Sequence, residues 1–144
     1  MVKEIINQGG FVDKFIGDAI MAVFRGDFHL DRALDACLAV KAEIAKLPEF
    51  TDHVKFRPSV SIGINSGEVV SGNIGSASLK RLDYTVIGDV VNTAQRLQSV
   101  GGPGQIIINE KSYQKVKESF HCCKVGEVSL KNKSMPLMIY EVIE

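Results

Sequence analysis

A short acidic turn between two apolar runs is the first feature of this sequence that could carry chemistry. Residues 11–16 and 19–24 are mainly apolar, with Gly17 and Asp18 between them, a pattern typical of a tight β-hairpin. The Asp18 carboxylate then lies beyond the sheet edge, where its oxygens suit Mg²⁺, which binds one or two carboxylates and substrate phosphates. Gly-Asp is also ordinary turn chemistry, so both interpretations stay open. Lys14 lies four residues earlier, on the first run.

A second candidate lies on the helix predicted over residues 89–100. Its apolar residues share one face, whereas Asn92 and Arg96 project from the opposite side, one turn apart. An Asn and an Arg on an exposed helix face can bind a polar ligand or can simply be solvated. Thr85 interrupts the apolar strand that enters this helix, where it is either structural or a ligand contact.

The elements that must position these residues alternate as strands and helices. Helices are expected at residues 2–7, 30–47, 89–100 and 110–118. Strands are expected at residues 11–16, 19–24, 60–64, 69–74, 82–87, 105–108, 122–130 and 136–143. Several strands connect through hairpins, which favours an α+β layer of helices on a mostly antiparallel sheet. Residues 1–144 form one predicted domain.

Composition narrows the function classes. The chain has 17 basic and 17 acidic residues among 144, a balance that predicts no nucleic-acid-coating surface. The three cysteines have no metal-type spacing, so we expect reduced, structural thiols in a cytoplasmic domain. No apolar run approaches a bilayer span, so no membrane contact is expected within this chain. A phosphate-loop fingerprint and a nucleophile elbow are both absent.

Four stretches of the sequence carry a family resemblance. They read GGFVDKFIGDAIMAVF at residues 9–24, IGINSGEVVSGNIG at 62–75, DYTVIGDVVNTAQRL at 83–97 and LKNK at 130–133. In this order they resemble the metal-binding hairpin, the next strand pair, the nucleotide-binding strand and helix, and the lysine-bearing turn of class III adenylate and guanylate cyclase catalytic domains. The resemblance covers essentially the whole chain and implies their ferredoxin-like α+β fold.

The resemblance implies a role for each candidate on the metal and purine side. Asp18 matches one of two metal-binding aspartates in a site that takes two Mg²⁺ or Mn²⁺ ions. Lys14 and Thr85 match the pair that reads the purine. A Lys with a Thr in this pair suggests adenine, so ATP is favoured over GTP.

The remaining implied roles concern the sugar and the phosphates. Asn92 matches the residue that orients the ribose, Arg96 the one that stabilises the reacting α-phosphate, and Lys131 a triphosphate-contacting lysine. The implied reaction converts ATP to 3′,5′-cyclic AMP and pyrophosphate. The implied assembly is a head-to-tail homodimer that combines residues of two subunits in each site.

The N-terminus departs from the family pattern. The family domain begins with a strand carrying Phe-x-Asp-Ile, which supplies the other metal aspartate, and residues 1–10 contain no match to it. We therefore expect an N-terminally truncated domain that begins near the end of the family's second helix and has little activity alone. The alternatives are a non-catalytic cyclase-homology module, which binds nucleotide or a partner domain, and a guanylate cyclase.

Overall fold

The computed structural model describes residues 1–47, 58–68, 70–76, 81–129 and 135–144. The helices within these ranges are α1 (Val2–Asn7), α2 (His29–Ala45), α3 (Asp89–Val100) and α4 (Glu110–Val116). The strands are β1 (Phe11–Ile16), β2 (Ala19–Val23), β3 (Ile62–Ile64), β4 (Val70–Ser76), β5 (Arg81–Ile87), β6 (Ile106–Asn109), β7 (Cys122–Val128) and β8 (Leu137–Val142). The predicted α+β class is confirmed.

The described strands form three sheets rather than one. Strands β1 and β2 form an antiparallel hairpin, β4 and β5 form a second antiparallel pair, and the order β3-β6-β8-β7 forms a four-stranded sheet. Within the described ranges, the strands on either side of Ser66 and Gly67 belong to different sheets: β4 pairs with β5, and β3 pairs in parallel with β6, with Ile62 opposite Ile106. The β6–β8 and β8–β7 pairs are antiparallel, in agreement with the predicted antiparallel-rich sheet.

Strand β6 is the centre of the core because both of its faces are covered. Ile106 and Ile108 pack in one buried cluster with Leu34 of α2, while Ile107 packs with Leu97 of α3 in a second cluster. Each of the three isoleucines is at most 1% exposed. A continuous apolar run is the sequence pattern that a strand buried on both faces shows.

Helix α4 is joined to strand β8 by an aromatic and polar contact. Tyr113 stacks on Tyr140 with ring centroids 3.9 Å apart, and the Tyr140 hydroxyl donates to Glu110 Oε2 at 2.5 Å. This hydrogen bond raises the pKa of Tyr140 to about 12 and lowers the pKa of Glu110. As predicted, Asn109 caps α4, with its side chain accepting from the backbone N–H of Ser112 at 3.0 Å.

Two further expectations concern the thiols and the membrane. Cys37, Cys122 and Cys123 are all unpaired thiols, as predicted, and burial raises the pKa of Cys37 to about 12. None of the helices in the described ranges combines the length and the apolarity that crossing a bilayer demands.

Candidate functional site

The β1–β2 hairpin carries Asp18 at its tip. Ile16 lies opposite Ala19, so Gly17 and Asp18 form a two-residue connection, as the sequence predicted. Gly17 has a φ of 60°, a conformation that glycine adopts without the steric cost that a Cβ brings. Asp18 is exposed. The turn therefore presents this carboxylate to solvent, where it can accept an ion; its role as a metal ligand stays a prediction.

A bulge in the same hairpin brings Lys14 beside Asp13. The β1–β2 register shifts between Val12 and Lys14, which leaves Asp13 as the extra residue. Consecutive residues of a regular strand point to opposite faces. Here Lys14 Nζ lies 3.4 Å from Asp13 Oδ2, although the Asp13 side chain is fully buried and that of Lys14 is 43% exposed. The sequence pattern does not indicate Asp13 as part of the site, because the bulge depends on the pairing.

Arg32 of α2 anchors both ends of the hairpin. Its guanidinium donates to the carbonyls of Gln8 at 3.2 Å and Gly9 at 3.4 Å before β1, and to those of Asp27 at 3.2 Å and Arg25 after β2. The rigid fork of an arginine suits such a set of acceptors, since it offers five donors in one plane. These bonds tie the base of the hairpin to α2.

The strands of the two purine-reading candidates are neighbours. Strand β1, which carries Lys14, contacts β5, which carries Thr85, and β5 in turn contacts α3. Within its own sheet Thr85 lies opposite Gly72 of β4. The fold therefore brings the strand of Lys14 beside β5, which lies far away in the chain and leads directly into the helix of Asn92 and Arg96.

Helix α3 presents Asn92 to solvent and leaves Arg96 half-buried. Leu97 is fully buried on the opposite side, as expected, and so is Thr93 at 4% exposure, which the apolar pattern missed. The expected cap at Asp89 is off by one residue: the N-cap is Gly88, and Asp89 already lies in the first turn. Gly88 has a φ of 144°, which only glycine adopts readily. In the first turn, the Asp89 carboxylate still interacts favourably with the positive end of the helix dipole.

Strand β3 lies against α3 at backbone distance. A Cβ added to Gly63 would lie 2.2 Å from the nitrogen of Gln98 and 2.3 Å from the oxygen of Ala94. Two residues earlier, Ser61 Oγ donates to the carbonyl of Gln98 at 2.8 Å. The helix of Asn92 and Arg96 is thus seated on the strand through main-chain contacts that no larger residue at position 63 would permit.

The loop after β3 makes polar contacts in two directions. Asn65 Nδ2 donates to the carbonyl of Val90 in α3 at 3.1 Å, and Asn109 Nδ2 donates to Asn65 Oδ1 at 2.9 Å. In the other direction Ser66 Oγ lies 2.7 Å from Nε2 of His29, the first residue of α2. This loop therefore joins α2, α3 and the end of β6, a role that sequence reasoning did not assign to it.

An open cleft of about 810 Å³ lies beside the first turn of α3. Its rim carries charges of both signs, Lys111 and Lys115 against Glu68 and Asp89. The predicted residues on the hairpin and on the outer face of α3 do not line it. They lie instead on exposed or half-buried surface, so a ligand that contacts them is not enclosed by this cleft.

The predicted metal and triphosphate residues are Asp18 and Lys131. Across the described ranges, no three His, Cys, Asp or Glu side chains converge in a way that could hold a metal ion. A single exposed carboxylate such as Asp18 still suits Mg²⁺, whose usual shell includes waters and substrate phosphates. Lys131 lies outside the described residues.

Comparison with known proteins identifies the family. The model of the adenylate and guanylate cyclase catalytic domain matches residues 5–143. The chain belongs to this family. The predicted resemblance is thereby confirmed, and the fold is that of the class III cyclase catalytic domain.

Two curated relatives match nearly all of this cyclase domain. An adenylate cyclase of Anabaena cylindrica is 39% identical over 155 residues, covering 99% of the chain and 30% of the relative. The terminal-differentiation-specific adenylate cyclase of Dictyostelium discoideum is 37% identical, covering 99% of the chain and 7% of the relative. The chain thus spans less than a third of the length of either protein.

Solved structures of both nucleotide specificities match as well. The crystal structure of the adenylyl cyclase CyaB from P. aeruginosa has a TM-score of 0.84 at 29% identity, covering 99% of this chain and 76% of that one. The guanylate cyclase domain of RhGC from Catenaria anguillulae, solved in complex with GTP, has a TM-score of 0.83 at 27% identity with the same coverage. Overall similarity therefore assigns the cyclase family without assigning the purine.

Proposed function

We propose that this chain is an adenylate cyclase catalytic domain that converts ATP to 3′,5′-cyclic AMP and pyrophosphate. The observation that carries the proposal is the contact of β1 with β5, the strand that leads directly into α3. This arrangement gathers the residues that the family resemblance assigns to the purine, the ribose and the α-phosphate. The two curated adenylate cyclases at 37–39% identity support the choice of ATP.

The purine is the part of the substrate that Lys14 and Thr85 would read. A lysine ammonium only donates hydrogen bonds, whereas a threonine hydroxyl both donates and accepts. Adenine offers a ring-nitrogen acceptor beside an amino donor, which this pair matches. Guanine presents adjacent N–H donors on that edge, which require an acceptor such as a carboxylate. Asp13 supports the assignment, since its buried carboxylate restrains the Lys14 ammonium at 3.4 Å.

The sugar and the α-phosphate are assigned to α3. Asn92, exposed on this helix, would hold the ribose so that its 3′-hydroxyl attacks in line, an orientation effect. Arg96 is half-buried one turn later, where its guanidinium would offset the charge that develops on the reacting phosphoryl group. Partial burial strengthens that electrostatic effect because water screens it less.

Asp18 is the residue that would contribute a carboxylate to Mg²⁺ or Mn²⁺. When bound, such ions supply Lewis-acid activation of the hydroxyl and neutralise phosphate charge. Asp18 is also the one residue in this chain that the resemblance assigns to the ions. We therefore expect slow turnover by the chain as it stands.

A head-to-tail homodimer is part of the proposal. Lys14, Asp18 and Asn92 are all exposed. The resemblance draws Asp18 from one subunit and Lys14 and Asn92 from the other, so the substrate would lie between two chains. Phe15 and Ile16, adjacent to Lys14, are 66% and 54% exposed, and an interface would remove this apolar surface from water. Cross-linking with sedimentation analysis would test the dimer independently of activity.

Long incubation of the full chain with Mg²⁺ or Mn²⁺ and either ATP or GTP tests the reaction. Mass spectrometry of the products should show cyclic AMP from ATP, formed faster than cyclic GMP from GTP. Arg96→Ala should lower the rate by about 10²- to 10³-fold, the usual loss when one transition-state donor is removed. Gln95→Ala, an exposed neighbour on the same helix, is the matched control and should leave the rate unchanged.

Other outcomes point to the alternatives. Faster cyclic GMP formation would assign a guanylate cyclase, for which the GTP complex of the similar RhGC domain gives the precedent. Nucleotide binding that Arg96→Ala weakens, with no product from either nucleotide, would assign a non-catalytic module. A rate unchanged by Arg96→Ala would overturn the role given to α3.

A further inference from the structure

We infer that Asn65 is a positioning residue that sets where α3, and with it Asn92 and Arg96, lies in the cyclase domain. The inference rests on the proposed function for its catalytic consequence, but its structural part stands on contacts of the described residues alone. Asn65 makes its two hydrogen bonds to Val90 and Asn109, neither of which the resemblance assigns to the substrate. It acts through the main chain of Val90, two residues before Asn92.

A hydrogen-bond relay of unambiguous direction passes through Asn65. At one end the backbone N–H of Ser112 can only donate, and it donates to Asn109 Oδ1 at 3.0 Å. At the other end the carbonyl of Val90 can only accept, and it accepts from Asn65 Nδ2 at 3.1 Å. The Asn109 Nδ2 to Asn65 Oδ1 bond at 2.9 Å must then run in the same direction. Both amide orientations are fixed by these two backbone ends.

The relay joins elements that the chain separates. It connects the N-cap of α4, at the end of β6, to the loop after β3 and to the first turn of α3. Asn109 is 8% exposed, so the relay ends in the packed body of the domain and not at a mobile surface. Because Asn109 already holds the Asn65 side chain, Asn65 loses little further side-chain entropy when it donates to the Val90 carbonyl. It therefore restrains α3 effectively.

Strand β3 and Ser61, the residue before it, make the other contacts that position α3. Gly63 brings its backbone against Ala94 and Gln98 in the middle and end of α3, and Ser61 Oγ bonds the Gln98 carbonyl at 2.8 Å. These contacts hold the C-terminal half of the helix. Asn65 makes a polar contact at the N-terminal turn, so it helps to set the tilt of the end that carries Asn92.

Asn65→Asp tests the inference with little change of shape. The aspartate can still accept from Asn109, but it places an oxygen instead of an N–H against the carbonyl of Val90. Ser66→Ala is the matched control, because it breaks the neighbouring contact to His29 in the same loop and leaves α3 untouched. Both variants are compared with the parent chain by amide hydrogen exchange and by cyclic AMP formation.

The expected result is a local change with a catalytic consequence. In Asn65→Asp, exchange of the amides of residues 92–96 should rise at least about tenfold, while amides of β6 and β8 keep their protection. Turnover should fall by about ten- to a hundredfold with KM changed much less, since misplacement by about 1 Å costs up to that factor. Ser66→Ala should leave both readouts within about twofold of the parent.

Two outcomes separate this inference from the proposed function. Unchanged exchange in α3 overturns the inference whether or not the parent makes cyclic AMP, and so does unchanged turnover in an active parent. If the parent chain makes no product, the proposed function is overturned. The hydrogen-exchange measurement still decides whether Asn65 positions α3.

A second variant covers the case in which Asn65→Asp does not fold. Asn109→Ser keeps an oxygen to cap α4 and removes the side-chain amide that donates to Asn65. It should raise exchange at residues 92–96 in the same direction by a smaller factor. If amide exchange at residues 92–96 in that variant equals that of the parent chain, the relay is contradicted.

Discussion

The β1–β2 hairpin and helix α3 carry the two halves of the candidate site, and they are held in different ways. The hairpin is a two-stranded sheet with exposed apolar residues, and Arg32 bonds four carbonyls at its base. Helix α3 is seated over the four-stranded sheet through buried Leu97 and main-chain contacts with β3. Asp18 is thus placed by local turn geometry, and Asn92 by long-range packing.

This difference predicts how much substitutions in each half should destabilise the domain. An isolated two-stranded hairpin is marginal in water, so its position depends on its contacts with the rest of the domain, at its base and with β5. A helix in backbone contact with a strand tolerates almost no added volume, because both partners are parts of a close-packed core. We therefore expect large, global effects from changes at β3 and smaller, local ones from changes in the hairpin.

The largest effect is expected from Gly63→Ala. Its Cβ would meet backbone atoms of α3 at 2.2 and 2.3 Å, which forces the helix and the strand apart. Overpacking against backbone should lower the free energy of unfolding by about 3 kcal/mol. Urea denaturation followed by circular dichroism measures this loss.

Gly17→Ala is the matched control in the hairpin. Its Cβ would have no neighbour within 4 Å, so only the φ of 60° opposes it. That strain costs about 1 kcal/mol. An equal or greater loss for Gly17→Ala than for Gly63→Ala would contradict the comparison.

An intermediate effect is expected from Arg32→Ala. Loss of its bonds to the carbonyls on either side of the hairpin should lower the free energy of unfolding by about 1.5 kcal/mol. Amide exchange should accelerate in β1 and β2 while β6 and β8 remain protected. Arg32→Lys should behave similarly, because an ammonium cannot reach both ends of the hairpin with one planar fork. Acceleration spread evenly over all strands would show that the hairpin is not a separate unit.

The smallest effect is expected from Tyr140→Phe, which keeps the stack on Tyr113 and removes the bond to Glu110. The lowered pKa of Glu110 means that its contribution is present above its ordinary value of 4.5 and is lost as the pH falls through its folded pKa. The raised pKa of Tyr140 means that its contribution is present below 10.0 and is lost as the pH rises towards about 12. Urea unfolding should therefore distinguish the variant from the parent at pH 7 and much less at either extreme. A difference independent of pH would assign the effect to packing.

The hairpin shows how far local pattern carries a prediction. Two apolar runs around Gly17 and Asp18 predicted β1, β2 and the turn between them, because that connection depends only on neighbouring residues. The same pattern could not indicate the ion pair of Asp13 with Lys14, because the bulge exists only once β1 is paired with β2. Thr93 was missed for a related reason: burial of a polar residue depends on what packs over it.

By itself the sequence determined the order of helices and strands, the family, and the residue types available to a nucleotide, because periodicity, turn chemistry and motif spacing are local properties. Tertiary structure alone decided the parallel pairing of β3 with β6, the contact of β1 with β5, and the relay from Asn109 through Asn65 to Val90. The bond from Asn109 to Asn65 joins residues 44 positions apart, and β1 and β5 lie farther apart still along the chain. Such partners are selected by the burial of the whole core. Spacing along the chain placed Asn92 and Arg96 on one helix; packing decided where that helix lies.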